Sequence, residues 1–352
     1  LSLALITANL GAVMGWYLWP ESKTTLSTNK KGLFWSKIIM TILFIPVIIF
    51  YYQKYELVSE FGYLILFAGQ GNAGSVNVLK ESPLIHFTVI WMLAFYIFLG
   101  SHPEKRDFII YSVLYFCIAI FSMMSGQRSE FGMYFIVYVV YYTTYIKKIS
   151  INTILILLTS TIFAFSIVAT LRSSDNYELN NFNAEDMLQI FFTQQGVSIN
   201  VLGYADQYKE TGEISDVFYP LDGYIKQKLD PDFRKQDEYY ADKIALQAQP
   251  NLYHAGRGVG SSYIAELYSA FGFIGVFLGG LILSLLNLFL YNSKLVRNSL
   301  FGCFILCIFW KNLAIMPRGA YLNFVLEFLK FGLPLYVLIK LFEYKKCNNI
   351  GR

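Results

Sequence analysis

The chain has 352 residues, of which 55% are hydrophobic and only 15% charged, with a formal net charge of +4. Soluble domains carry about 25% charged residues, so this composition excludes a soluble globular protein and points to a membrane protein. The positive balance is no nucleic-acid footprint either, because the basic residues are scattered at the ends of apolar runs instead of forming a patch.

Apolar runs cover 3–19, 33–52, 84–100, 108–125, 131–146, 151–171, 271–291, 300–316 and 324–342. Most reach the roughly 17–25 residues that a helix needs to cross the hydrocarbon core. The expected fold is an all-α polytopic integral membrane protein with about 9–11 transmembrane helices and one long extracytoplasmic loop. The first run lacks a basic leader and a small-residue cleavage site, so it reads as a helix and not as a signal peptide. Because position 1 is Leu, further sequence upstream is expected. Pro46 predicts a kink in the second run.

Basic residues give the orientation. Lys23, Lys30, Lys31, Lys105, Arg106, Lys147, Lys148, Lys294, Arg297, Lys345 and Lys346 fall in short connections or the tail, which the positive-inside rule makes cytoplasmic. The alternation then needs 53–83 to begin and end outside; its apolar piece, 61–68, is too short to span and reads as an external or re-entrant excursion. The connections 126–130, 172–262 and 317–323 also face outward. The expected division is an N-terminal helix bundle at 1–171, a large extracytoplasmic loop at 172–262, C-terminal transmembrane helices at 263–344 and a cytoplasmic tail at 345–352. Cys117, Cys303 and Cys307 lie in apolar helices and Cys347 beside cytoplasmic lysines, so no disulfide framework is expected.

After Leu171 the composition turns polar and aromatic for some ninety residues, and a connection that long is functional more often than filler. Within it, 186–208 reads as a helix, 214–232 as loop and turn on account of Pro220, Gly223 and Pro231, and 234–249 as a charged helix. Its abundant tyrosines either stack on sugar faces or form an interfacial belt. Tyr253, Tyr263 and Gln195 are the candidate sugar contacts.

The loop ends in HAGRGVG, starting at His254, where three glycines let the backbone approach a ligand around Arg257. Ser261 and Ser262 are candidate N-caps of a helix that carries Glu266 and runs unbroken into an apolar span. Five of eight arginines map outside, against the positive-inside trend: Arg128, Arg172, Arg234, Arg257 and Arg318. Arg234 lies deep in the loop and reads as a solvated charge. Arg128, Arg172, Arg257 and Arg318 sit where apolar runs meet the outer surface, and guanidinium forks suit phosphate oxygens. The bland alternative pairs each with a nearby acid. Glu266 is either a base or a structural carboxylate, and His254 is the second proton-transfer candidate. Asp230-Pro-Asp232 reads as a solvated turn, so no metal or other cofactor is expected.

The segment 258–275, GVGSSYIAELYSAFGFIG, with FTQQGVSINVL at 192–202 and the overall topology, resembles the Wzy-type O-antigen or capsular polysaccharide polymerases, and more distantly the O-antigen ligases. The resemblance implies a GT-C-type polymerase/ligase fold in the bacterial cytoplasmic membrane with an outward-facing site. It implies polymerisation of undecaprenyl-diphosphate-linked oligosaccharide repeat units by glycosyl transfer, with arginines on the diphosphate and a side-chain base on the acceptor. Partners would be the lipid-linked oligosaccharides, the bilayer, a chain-length regulator and a flippase. An O-antigen ligase or a lipid-linked oligosaccharide flippase are the competing readings; the first six spans offer few mid-depth ionisable groups, which counts against translocation. Lys311, Glu327 and Lys330 in the last two spans are the exceptions.

Overall fold

The computed structural model describes residues 1–19, 28–61, 82–125, 128–150, 197–208, 212–230, 238–254 and 258–339, with isolated helical positions between 152 and 189, and no strand occurs among them. The helices are α1 (Ser2–Leu18), α2 (Lys30–Phe61), α3 (Leu84–Gly100), α4 (Lys105–Met124) and α5 (Arg128–Tyr141, prolonged by a π-turn at Tyr142–Ile146). Then come α6 (Val197–Gln207), α7 (Ile214–Leu229), α8 (Tyr240–Ala248), α9 (Pro250–His254), α10 (Tyr263–Asn292), α11 (Leu300–Ile315) and α12 (Asn323–Glu327, prolonged by a π-turn at Phe328–Gly332). A helical turn, Lys294–Arg297, joins α10 to α11, and a 3-10 turn, Met316–Arg318, follows α11.

Among the described residues, four stretches are long and apolar enough to cross a bilayer: Lys30–Glu60, Lys105–Met124, Tyr263–Asn292 and Leu300–Arg318. With the shorter apolar helices Ser2–Leu18 and Leu84–Gly100, they make this a multi-pass helical membrane protein. The expected run 151–171 and the tail lie largely outside the described residues. At about 1.5 Å per residue the 32 residues of α2 reach about 48 Å, so the helix overshoots a hydrocarbon core of about 30 Å and runs on past the expected end at Tyr52. Arg128 and Glu130, expected in a loop, open α5 instead.

The bundle is built around α11. Its buried residues run almost continuously from Gly302 to Trp310, the pattern of a helix covered on all sides, and it packs on α3 and α5. Specific hydrogen bonds fix the surrounding helices. Trp91 Nε1 donates to the Met40 carbonyl at 2.9 Å (α3 to α2), Tyr115 to the Tyr134 carbonyl at 2.8 Å (α4 to α5), and Tyr141 to the Leu99 carbonyl at 3.0 Å (α5 to α3). Each phenol or indole thus satisfies its polar end while burying its ring.

The first helix belongs with the last third of the chain. Down α1 and α10, Thr7 faces Gly280, Gly11 faces Ser284 and Gly15 faces Leu288, while Asn292 donates to the Trp19 carbonyl across 273 positions. The constant offset means that the two helices run parallel. Small residues every fourth position let them approach closely, which drives association in lipid through packing and not through hydrophobicity.

The ends of α1, α3, α5 and α10 and the starts of α2, α4 and α11 meet at one face. Asn29 N–H donates to the Ser101 carbonyl at 3.0 Å, Thr28 to the His102 carbonyl at 3.3 Å, and Arg297 to the Thr144 carbonyl at 3.2 Å. The basic residues expected to share one side, from Lys30 through Arg297, all fall in these segments; Lys23, Lys345 and Lys346 lie outside the described residues. At the opposite face α6 and α7 pack on α10, α7 also meets α12, and α8 joins α6 to α9. This layer has its own small core of Val201, Ala205, Tyr240, Ile244, Ala245, Val259 and Ala265.

Two sequence expectations fail here. The stretch 214–232 was expected as loop and turn, yet Ile214–Leu229 is a helix. A capping box between Glu213 and Asp216 starts it, and the buried positions Asp216, Val217, Pro220 and Gly223 line one helical face. Packing of that face outweighs the hydrogen bond that Pro220 removes, and Gly223 leaves room for the Tyr219 ring. The second is the run into the last spans, which is broken: Gly272 has φ 64° and ψ −153°, a backbone open essentially to glycine alone. The segment before it folds so that Leu267 presses on Gly275 and Gly279, where any side chain would collide with it.

The α1–α10 pairing predicts that Gly11→Leu, which drives a side chain into Ser284, lowers the melting temperature of the purified protein by several degrees. Gly203→Ala on α6, with open space around it, leaves melting within a degree or so.

Candidate functional site

The break at Gly272 turns the start of α10 into a separate short helix seated on the non-basic face, and that helix carries Glu266. Ser262 is its N-cap by backbone geometry but makes no side-chain capping bond. Ser261 Oγ instead donates to Glu266 Oε1 at 2.5 Å, so the expected cap becomes a carboxylate ligand. The other oxygen, Oε2, accepts from the Tyr321 backbone N–H at 2.9 Å. Glu266 is only 1% exposed. Among the described residues no cation forms an ion pair with it, so two hydrogen bonds carry the compensation for its burial. Tyr321 in turn donates from its hydroxyl to the Gly279 carbonyl at 3.2 Å, and its ring stacks against Tyr263 at 6.4 Å.

A second layer of tyrosines and one ion pair closes over this carboxylate. Tyr239 hydrogen-bonds Ser261, and its ring stacks on Tyr219 at 4.7 Å. Tyr240 and Ser269 share a hydrogen bond of 2.7 Å. Tyr268 donates to Asp206 at 2.8 Å, fixing α6 to α10. Burial pushes Tyr239 and Tyr240 up, and Tyr219 rises to about 12 through burial and then the carboxylates of Asp242, Asp222 and Glu238. These phenols are therefore hydrogen-bond donors at neutral pH and not bases. Asp216 is 2% exposed and takes Lys243 Nζ at 2.7 Å and the Glu213 N–H at 2.9 Å. Burial raises its pKa, with the Glu213 amide and Lys243 pulling the other way.

The structure places the expected site residues unevenly. Glu266 and Tyr263 stand together, and Tyr253 packs on the small core of the α6–α9 layer. His254 is exposed at the end of α9, with its ring 5.9 Å from that of Tyr253. Arg318 is exposed in the 3-10 turn, three positions before Tyr321. Arg257, Arg172, Arg234 and Gln195 lie outside the described residues, as does the side chain of Arg128. Lys311, Glu327 and Asn312 form one cluster, with Lys311 Nζ at 2.7 Å and Asn312 Nδ2 at 2.9 Å from the carboxylate. Among the described residues no three His, Cys, Asp or Glu side chains gather in metal-binding geometry.

Sequence reasoning missed Ser261 as a carboxylate ligand, the Asp216–Lys243 pair and the Tyr239–Tyr240 layer. The available signal was the Glu213-x-x-Asp216 spacing of a capping box, hidden behind Pro220.

Fold and site together define a polytopic membrane protein whose polar chemistry is concentrated at the membrane face away from its basic ends. The chain belongs to the O-antigen polysaccharide polymerase Wzy family, whose model matches residues 20–347. No curated protein and no solved structure matches the chain. The family makes it an enzyme of polysaccharide biosynthesis that polymerises O-antigen repeat units.

Removing Lys243 strands a buried carboxylate. Lys243→Ala is expected to cost about 3 kcal/mol of stability, read as a clear drop in melting temperature, with Asp216→Asn costing less because it leaves no unpaired charge.

Proposed function

We propose that the chain joins undecaprenyl-diphosphate-linked oligosaccharide repeat units by glycosyl transfer at the outer face of the bacterial cytoplasmic membrane, the face formed by α6–α9 and the start of α10. In the reaction the bond between the anomeric carbon and the diphosphate oxygen breaks as an acceptor hydroxyl attacks that carbon. The electron pair goes to the diphosphate and the hydroxyl proton to a base. Cations held ready for the departing diphosphate stabilise the transition state more than the ground state. Arg257 and Arg318 are the leading diphosphate ligands in this reading, with Arg172 and Arg128 in support.

The observation that carries the reading is the double engagement of Glu266. Ser261 stands four positions after Arg257 and Tyr321 three after Arg318, so one buried carboxylate ties together the two loops that bear the leading arginines. Of the two roles open to Glu266, burial and two accepted hydrogen bonds favour orienting these loops over taking a proton from the acceptor. His254, an exposed imidazole, is the freer proton acceptor.

A polymerisation assay on purified lipid-linked repeat units tests this. Arg257→Ala and Arg318→Ala are expected to cut polymer formation at least about tenfold each. Glu266→Gln, which keeps the shape and can still accept the Tyr321 amide, is expected to retain activity within about tenfold, whereas Glu266→Ala loses it. A fall of about 10²–10⁴-fold for Glu266→Gln alone would make it the base instead. Normal polymer from both arginine variants at normal expression would sink the site.

A further inference from the structure

Beside the turn that lends its Tyr321 amide to Glu266 lies a cavity. Ile315 and Asn323, which flank that turn, are the first residues of a cleft of about 520 Å³ between α2, α3, α5, α11 and α12. That volume falls in the range of about 300–1,000 Å³ typical of small-molecule sites. One wall is apolar, made by Val89, Met92, Leu93, Leu326 and Phe331. The rest is polar, with Tyr96, Glu130, Lys311, Asn312, Glu327 and Lys330, and Glu130 is already paired with Lys54 at 3.6 Å.

Three observations mark this cleft as a seat for a ligand. The Lys311–Glu327 pair and its Asn312 partner stand among apolar helices, where ionisable groups are costly and mark sites or pathways. Tyr96 is 2% exposed and its buried hydroxyl has no hydrogen-bond partner among the described residues, although leaving a buried hydroxyl unmatched costs about 1–3 kcal/mol. Lys330 lines the cleft without a carboxylate in ion-pair range among the described residues; its ammonium sits instead 3.7 Å from the Tyr224 ring of α7. Among the described residues, a buried donor without an acceptor, a cation without a carboxylate in ion-pair range and an apolar wall beside them fit an amphiphile with an acidic head.

Glycosyl transfer between two lipid-linked saccharides requires two such amphiphiles at once. We propose that this cleft holds the second, the acceptor, with its phosphate against Tyr96 and Lys330 and its hydrocarbon along Val89, Met92 and Phe331. The proposal rests on the polymerase reading, in which the arginine loops hold the donor.

Native mass spectrometry of the purified protein with undecaprenyl diphosphate as probe tests it beside the polymerisation assay. Wild type is expected to bind two probe molecules. Leu326→Trp, which fills the cleft, is expected to bind one and to lose polymer formation at least tenfold. Tyr96→Phe, which removes one hydroxyl and keeps the ring, is expected to weaken the second binding about five- to tenfold and keeps the test decisive should Leu326→Trp not fold. Two probes on Leu326→Trp with normal polymer, or unchanged binding to Tyr96→Phe, would overturn the cleft assignment while the polymerase reading stood. Equal displacement of the second probe by phosphatidylglycerol would overturn it too, making the cleft a seat for ordinary membrane lipid. Wild type that neither binds the probe nor polymerises would take the polymerase reading down with it.

Discussion

A carboxylate taken out of water has to be met by donors, and at Glu266 the donors come from two separate stretches of chain. An intramolecular hydrogen bond is worth about 0.5–1.5 kcal/mol net, and leaving a buried polar group unmatched costs about 1–3, so Ser261 and the Tyr321 amide together hold the loop leading into α10 against the turn leaving α11. The rest of the outer layer conforms to that junction. Tyr239 leans on Ser261, Tyr263 stacks on Tyr321, and Tyr321 reaches down to Gly279. The bend at Gly272 is what makes the junction possible, since an unbroken helix would carry Glu266 away along the span axis.

The molecule thereby separates two kinds of cohesion. Apart from the Lys311–Asn312–Glu327 cluster, the contacts around α11 are aromatic and apolar, closed by single hydrogen bonds such as Trp91 to Met40. On the far face the contacts are charged or phenolic, and the Asp216–Lys243 pair fixes α7 to α8. A rigid bundle with a polar, jointed layer above it suits a family that builds polysaccharide at a membrane.

Hydropathy made the spans readable, and the lysines and arginines at their ends made the shared basic face readable, because both depend on composition over many residues. Local rules did less well where packing decides. Pro220 and Gly223 spelled a turn, yet the buried face of α7 holds a helix through them. Phe-Gly-Phe looked like uninterrupted apolar span, and nothing in hydropathy distinguishes a bend at Gly272 from a tolerated glycine. Glu266 was legible as a costly charge at the membrane surface, but its ligands were not: Ser261 looked like a helix cap, and a backbone amide at Tyr321 leaves no mark in a sequence. The four arginines were legible as a pattern, of which the structure describes the side chain of Arg318 alone.

The parallel pairing of α1 and α10 bears on how the protein is made. Trp19 waits for a partner 273 positions later. At a synthesis rate of about 5–20 residues per second, the ribosome needs roughly 15–55 s to deliver it. During that interval the glycine stripe of α1 faces lipid or whatever insertion machinery shelters it, so α1 leaves the ribosome long before the helix it packs against exists.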